Sequence, residues 1–289
     1  MHRWGHSHRM KELYAMIGIT KQGHYKRLKR LKNQQALQTH IFDSAARIRK
    51  EHRKMGCRKM YHEIRPCGMG RDRVEALLLA HGFRIPRKRN YHKTTYPGKR
   101  RYGNLLSARK VTAANQVWVS DITYIPVGYK RNYYLTLILD VYTKNITGWS
   151  LSKTLATEET VLPALSKAIG ELDLNQRKEL IFHSDRGSQY GSDLMKQYYR
   201  ETKVTPSMGG KAWENAHAES LNGILKREYI NFNQTDIPIK QARKLISKWV
   251  YLYNNERPHG SLKNMKPKEF ETYVETLEDQ HKPVIQINY

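Results

Sequence analysis

Apolar residues recur along this chain with two different periods, and the change falls near Gln116. Upstream, the spacing is helical. Residues 9–32 predict two helices about a turn at Gly18-Ile19-Thr20, with Thr20 capping the second. Ile41 to Lys54 predicts another helix and Arg58 to Ile64 a shorter one, before Pro66 and Gly68-Met69-Gly70 interrupt. Arg71 to His81 then carries Val74, Leu77 and Leu78 at helical spacing, and Gly82 ends it. A short helix, a glycine-containing turn and a basic amphipathic helix together predict a helix-turn-helix-like region. The plainer alternative is a helical hairpin.

Downstream of Gln116 the pattern becomes that of strands. Val117 to Val127 is rich in Val, Ile, Tyr and Thr, Gly128 to Arg131 turns, Asn132 to Val141 forms a second strand, and Ile146 to Ser152 a third. Thr157 caps a predicted helix with Glu158 and Glu159 in its first turn, running to about Leu172. Leu180 to His183 reads as a buried strand, Ser192 caps a helix to about Thr202, and Val204 to Pro206 is a last short strand. Two helices follow, Asn215 to Tyr229 and Ile239 to Asn255. Three strands, helix, strand, helix, strand, helix, helix is the order of a ribonuclease-H-like α/β core, with its first and fourth strands as neighbours. The expected organisation is a basic helical region over 1–83, a linker over 84–112, the core over 113–275 and a tail over 276–289.

Charge changes the picture in one respect. The net charge is +26, and residues 1–110 hold 29 basic against 6 acidic side chains, leaving 23 against 20 for the remainder. An excess so concentrated calls for a polyanion: nucleic acid, an acidic membrane surface or an acidic protein. The asymmetry favours nucleic acid. Arg71 and Arg73 then stand at the start of a recognition helix, where side chains meet bases or phosphates. The linker, with Arg84, Arg87, Lys88, Arg89, Lys93, Lys99, Arg100, Arg101, Arg109 and Lys110, is suited to tracking a phosphate backbone. Cys57 and Cys67 support no disulfide framework. Met1 to Met10 lacks the apolar core of a signal peptide, and Tyr133 to Tyr142 is too short to span a bilayer. The expectation is a soluble, cytoplasmic, nucleoid-associated protein.

Three acids carry the candidate chemistry. Asp121 lies inside an otherwise apolar strand, where a carboxylate is costly unless it is paired or binds metal. Asp185 directly follows the fourth strand, and Glu219 lies in the helix after residue 215. Phosphodiester cutting and joining needs an activated oxygen, a stabilised leaving group and compensation for charge on phosphorus. Two hard divalent ions held by carboxylates supply all three. Lys226 lies two turns beyond Glu219 on nearly the same face, with Asn222 and Gly223 between, so it is placed to contact DNA phosphate. Glu214, five residues before Glu219, is the rival third acid. Asp140 reads as a turn or an ion pair. His183 and His217 flank the acids and fit DNA contact, core or surface equally. His52, Cys57, His62 and Cys67 recur every five residues, which turns each to a different helix face and argues against zinc.

The stretches WVSDITYI, HSDRGSQY, NAHAESLNGILKREY and YNNERPHGSLKNMKPKEF resemble the acidic-triad (DDE) transposases of insertion sequences, of the retroviral-integrase type, over about Met10 to Phe270. They are most similar to the second-frame product of elements whose two reading frames are joined by a frameshift. The resemblance implies Asp121, Asp185 and Glu219 as catalytic, metal-holding residues and Lys226 as a DNA contact. It also implies Mg²⁺ or Mn²⁺, two ions, as cofactor. Arg71, Arg73, Arg186, Asn222 and Arg227 complete the expected DNA-binding set. Implied partners are the terminal inverted repeats, target DNA, and the first-frame product or a fused form, with a homo-oligomer assembling on DNA and no membrane. The interval between the second and third acids, residues 186–218, is 33 long, slightly shorter than is common in the family, and the shortfall falls in the loop Gly209 to Trp213. Two rival functions remain: a ribonuclease-H-like nuclease that cuts without joining, and a catalytically silent DNA-binding regulator.

Overall fold

A computed structural model describes residues 10–85, 101–128, 131–230 and 237–288. Most of the expected basic linker, residues 86–100, lies outside them, as do Tyr129 and Lys130 of the predicted hairpin turn. The chain forms two compact units: Met1–Lys50 with Gly56–Arg84, and Glu51–Met55 with Ile85–Tyr289. Among the described residues no helix is long and apolar enough to cross a membrane.

The first unit is helical: α1 (Met10–Met16), α2 (Lys21–Glu51), α3 (Cys57–Ile64) and α4 (Arg71–Ala80). Thr20 caps α2 as expected, its Oγ1 accepting from the Gly23 N–H at 3.0 Å. One expectation is corrected here. The helices predicted to end near 32 and to begin at 41 are a single 31-residue helix. Residues 33–40 are mostly polar but contain neither glycine nor proline, so nothing stops propagation once the helix is nucleated. Ile41, Ala45, Met60, Val74 and Leu78 are fully buried. Gly82 takes a φ of +83°, and the Phe83 N–H returns to the Leu78 carbonyl at 3.0 Å, closing α4 with a Schellman turn.

The second unit is built on a five-stranded sheet of β2 (Val117–Val127), β3 (Arg131–Asp140), β4 (Ile146–Ser152), β5 (Ile181–Ser184) and β6 (Thr205–Met208), in the order β4-β3-β2-β5-β6. Strand β2 runs antiparallel to β3 and parallel to β5. A small ladder joins β1 (Lys110–Val111) to β7 (Ile285–Gln286). Helices α5 (Val161–Ile169), α6 (Leu174–Glu179), α7 (Asp193–Thr202), α8 (Ala216–Glu228), α9 (Ile239–Asn255) and α10 (Pro267–Glu275) surround the sheet. Alternation along β2 feeds two cores: Val117, Val119 and Ile125 pack with Leu221, Leu225 and Ile246 of α8 and α9, whereas Trp118 packs with Leu165, Phe182 and Tyr199 on the α5 and α7 side. This is the ribonuclease-H-like α/β arrangement expected.

Two details differ from the sequence reading. Helix α5 begins at Val161, so Thr157 does not cap it and Glu158 and Glu159 lie in a preceding turn. The Glu159 carboxylate accepts from Ser152 Oγ at 2.6 Å and Thr154 Oγ1 at 3.0 Å, which ties it to the end of β4. The same helix ends at Ile169, after which Asp173 caps the short α6 with a capping box to Gln176. Close packing at α5 explains Gly148 of β4. A Cβ there would meet the Ala164 carbonyl oxygen at 2.5 Å and the Ala168 Cβ at 2.8 Å. Gly148→Ala is therefore expected to destabilise the unit by about 1–3 kcal/mol in urea melts; an unchanged midpoint would mean that α5 moves away freely.

Candidate active site

The register of the central strands builds the site. Parallel pairing puts Ser120 opposite Ser184, so Asp121 on β2 and Asp185, one residue past the end of β5, follow directly from that last pair. Asp121 shares a face with Val119 and so points towards α8. That helix is pinned in place where it starts, by Asn215 Nδ2 donating to the Ser120 carbonyl at 2.9 Å, and along its length by buried Ala218, Leu221 and Leu225.

Asp121 accepts from the Ile122 N–H at 2.9 Å and from Asn222 Nδ2 at 2.7 Å. Its pKa is nevertheless pushed up to about 7, by burial and then by the negative charge of Asp185, with Glu219 adding to it. Asp185 accepts from the Gly187 N–H at 2.9 Å, and burial raises its pKa. Glu219 is raised by desolvation and by Asp185. Burial lowers the pKa of Lys226, while attraction to Asp121 opposes the shift. Glu219, Asn222 and Lys226 thus all act on Asp121 from one face of α8, as the helical spacing predicts. A cleft of about 220 Å³ opens here, lined by both aspartates with Tyr124, Arg186, Gly187 and Gln189. Glu219 is exposed outside its lining.

Among the described residues no three acidic, imidazole or thiol side chains already stand close enough to hold a metal ion. Like charges repel at this level, and two of the carboxylates are turned towards N–H donors. The donor set still fits a hard divalent cation: carboxylate oxygens whose charge is uncompensated, plus a buried Asn222 Oδ1 that has no hydrogen-bond partner.

The remaining expected residues divide. Arg186 lines the cleft, with its Nη2 beside Gly210, and its buried Nε has no partner. Arg227 is exposed one position past Lys226, with its guanidinium over Gly223. Arg71 and Arg73 are exposed at the start of α4 in the first unit, and Arg71 contacts Asp72 at 2.9 Å. Glu214, the rival acid, accepts from Asn104 Nδ2 at 3.0 Å and from the Gly210 N–H, which binds it to the loop before α8. His183 is fully buried, joining Ser207 Oγ at 2.8 Å and the Glu214 carbonyl at 2.9 Å. Asp140 forms a turn knot, accepting from the N–H groups of Tyr142 (2.7 Å), Thr143 (2.8 Å) and Asn115 (2.6 Å) and from Trp118 Nε1 (3.2 Å). His52 contacts the Tyr229 hydroxyl at 2.6 Å, and Cys67 is exposed while Cys57 is buried.

A buried lysine escaped the sequence reading. Lys144, in the turn after β3, is 5% exposed, and burial lowers its pKa to about 8 against the pull of Asp140. It in turn helps burial to hold His217 down at about 4, which leaves that imidazole neutral near pH 7. Because the folded state disfavours charged Lys144, its penalty is present in full below about pH 8 and is relieved between there and the unfolded value near 10.5. Wild type is expected to gain up to about 3 kcal/mol over Lys144→Asn across that window, and parallel difference curves in chemical melts at pH 7.5 and pH 10 would refute it.

A model of the integrase core domain matches residues 111–212, and a second integrase core domain model matches residues 200–267. The chain is similar to a protein assigned as the transposase of insertion sequence element IS986/IS6110 in Mycobacterium tuberculosis, 31% identical over 229 residues, which are 75% of this chain and 81% of the relative. It is also similar to a functionally uncharacterised 31 kDa protein of insertion element IS600 from Shigella sonnei, 31% identical over 272 residues, with 88% of this chain and 96% of that one covered. Among solved structures it resembles the HTLV-2 integrase catalytic core domain, with a TM-score of 0.40 and 17% identity over 55% of this chain and 97% of that chain. The chain belongs to the insertion-sequence transposase family and carries its integrase core domain.

Proposed function

We propose that this chain is the polynucleotidyl transferase that cuts and joins DNA at the ends of an insertion sequence, with Asp121, Asp185 and Glu219 as its catalytic triad. The observation that carries the assignment is that Asp121 and Asp185 each follow the last β2–β5 pair, close enough for one charge to act on the other, under a helix whose Glu219, Asn222 and Lys226 act on Asp121. The engagement of Glu214 with Gly210 and Asn104 supports Glu219 as the third acid.

The three carboxylates would hold Mg²⁺ or Mn²⁺, two ions, which when bound supply an activated oxygen and stabilisation of the leaving group. The protein's own groups do the rest. Asn222 orients the Asp121 carboxylate by its 2.7 Å hydrogen bond. Lys226, Arg186 and Arg227 offer positive charge to the phosphate that enters the cleft. Arg71 and Arg73 at the exposed start of α4, with the basic segment between the units, bind the inverted repeats and target DNA, and this affinity falls steeply with salt. The chain is the second-frame product of its element, works with the first-frame product or as a fused form, and assembles as a homo-oligomer on DNA. The organisation proposed is a helix-turn-helix-like region over 1–83, a linker over 84–112, the catalytic core over 113–275 and a tail to the end.

The test is strand transfer with a precut, labelled element end in Mg²⁺ or in EDTA. Joined product that requires the metal supports the transposase. Cutting of intact ends with no joining assigns a nuclease instead, and metal-independent binding with neither reaction assigns a regulator.

A further inference from the structure

Residues 111–289 are nearly balanced, with 23 basic against 20 acidic side chains, yet four of their cations converge with Arg101 at one edge of the sheet. Arg101 precedes β1, Lys178 lies on α6, Lys196 and Arg200 sit one helical turn apart on α7, and Lys203 closes that helix. They line a groove of about 1010 Å³, and no carboxylate is among its lining residues. Tyr102 also lines it, edge-on to Tyr199 at 6.1 Å between ring centroids. The charges of Lys196, Arg101 and Arg200 all act on the Tyr102 hydroxyl, with Asp193 opposing them.

Such an arrangement repels itself unless something negative fills it. Local acids do little. Lys196 meets Asp193 at 2.6 Å, but that pair is exposed, the acid being 94% accessible, so the lysine is easily redirected to another anion. Pairing with an extended peptide strand is disfavoured, because Pro206 interrupts the N–H row of the edge strand β6. One hydrogen bond links the groove lining to the segment that lines the acidic cleft. Arg101 donates to the carbonyl of Gly191, the residue after Tyr190, and Gln189 and Tyr190 both line the acidic cleft.

We propose that this groove is a second DNA-backbone site, gripping the sugar-phosphate strand of a duplex as it leaves the acidic cleft. The proposal rests on the reading of this chain as a DNA-joining enzyme. Its ligand is phosphodiester backbone, and the duplex gripped is either the element end or the target. The cations act by charge and by hydrogen bonds to phosphate oxygens, and the tyrosine hydroxyl adds a donor.

The test uses the full chain with Lys178→Gln, Lys196→Gln and Arg200→Gln combined. A control carries the same loss of charge on an unrelated surface, as Lys240→Gln, Lys244→Gln and Lys268→Gln. Binding is measured by fluorescence anisotropy, over about 50 to 200 mM salt, to a labelled element end and to a duplex of unrelated sequence. Each phosphate contact contributes about 0.9 to the slope of log affinity against log salt, so the groove variant should lose about 2–3 from its slope while the control loses less than about 1. Strand transfer should fall with it, while both variants melt as wild type does. A loss on the unrelated duplex alone assigns the groove to target DNA, a loss on the element end alone assigns it to the end, and a loss on both assigns it to backbone of either source. A slope equal to that of wild type, or to that of the control, overturns the proposal. If wild type still joins DNA in that case, the reading of the enzyme stands without the groove; if wild type neither binds nor joins, both fall.

Discussion

Asp121→Asn, Asp185→Asn and Glu219→Gln should each reduce metal-dependent strand transfer by about 10²–10³-fold or more while leaving DNA binding within a fewfold of wild type. The three changes keep shape and remove charge, so they separate metal holding from folding. Burial raises the pKa of all three acids, the charge of Asp185 adds to the rise at Asp121 and Glu219, and Asp121 reaches about 7. Uncompensated negative charge at this spot is a cost that a divalent cation relieves. Asp121→Asn removes part of that cost, so the metal-free variant should melt no lower than wild type even as its activity disappears. Added Mg²⁺ should raise the melting temperature of wild type and not of the variant. Strand transfer that survives Glu219→Gln would move the third ligand, with Glu214 next in line.

The second large effect is expected far from the chemistry, at Arg257. Its guanidinium is 3% exposed and makes two 2.7 Å hydrogen bonds to Glu228, whose side chain is 10% exposed. Glu228 is the last residue of α8 and Arg257 follows the end of α9, so one bidentate pair ties together the ends of two helices. Tyr253 stacks against the same guanidinium at 5.7 Å. Arg257→Ala leaves a buried carboxylate without its partner and should cost about 3–5 kcal/mol of stability in urea melts. Arg257→Met with Glu228→Met should recover most of that loss, because an apolar pair pays no desolvation. A single variant within about 1 kcal/mol of wild type would show that water reaches Glu228 and that the pair is not a strut. Since α8 also carries Glu219 and Lys226, the single variant should lose activity at temperatures where it is still folded.

These residues differ in how far the sequence exposes them. Asp121 and Asp185 are legible because a carboxylate inside a β-branched strand, and another directly after a buried strand, are costly placements that call for a reason. Glu219, Asn222 and Lys226 are legible because helical spacing alone puts them on one side. The strands β2 and β4 and helix α9 match their predicted bounds, since their periodicity is strong and turn residues flank them. Helix α2 is misread because polar residues in its middle look like a loop when no glycine or proline marks one, and exposure rather than disorder explains them. The start of α5 is misread because Glu159 looks like a first-turn acid and instead answers Ser152 across the turn. Asp140 occupies a turn, one of the two roles its sequence position suggests, whereas the burial of Lys144 and the Arg257–Glu228 pair are visible only in three dimensions. Nothing near them in sequence distinguishes a buried ion from a solvated one. The groove at the β6 edge belongs to the same class, since its five cations span residues 101 to 203.

The ladder between β1 and β7 has a consequence for what can be done with the catalytic unit. Lys110 pairs with Gln286 and Val111 with Ile285, and Ile287 is buried beside them. Residues 111 to 285, which hold the sheet and its covering helices, therefore have their two ends side by side. A segment whose two ends meet can be moved as a cassette, because grafting it between other sequences demands no stretch of chain to bridge its width. Such a move carries Asp121, Asp185 and Glu219 together and leaves the spacing between them unaltered.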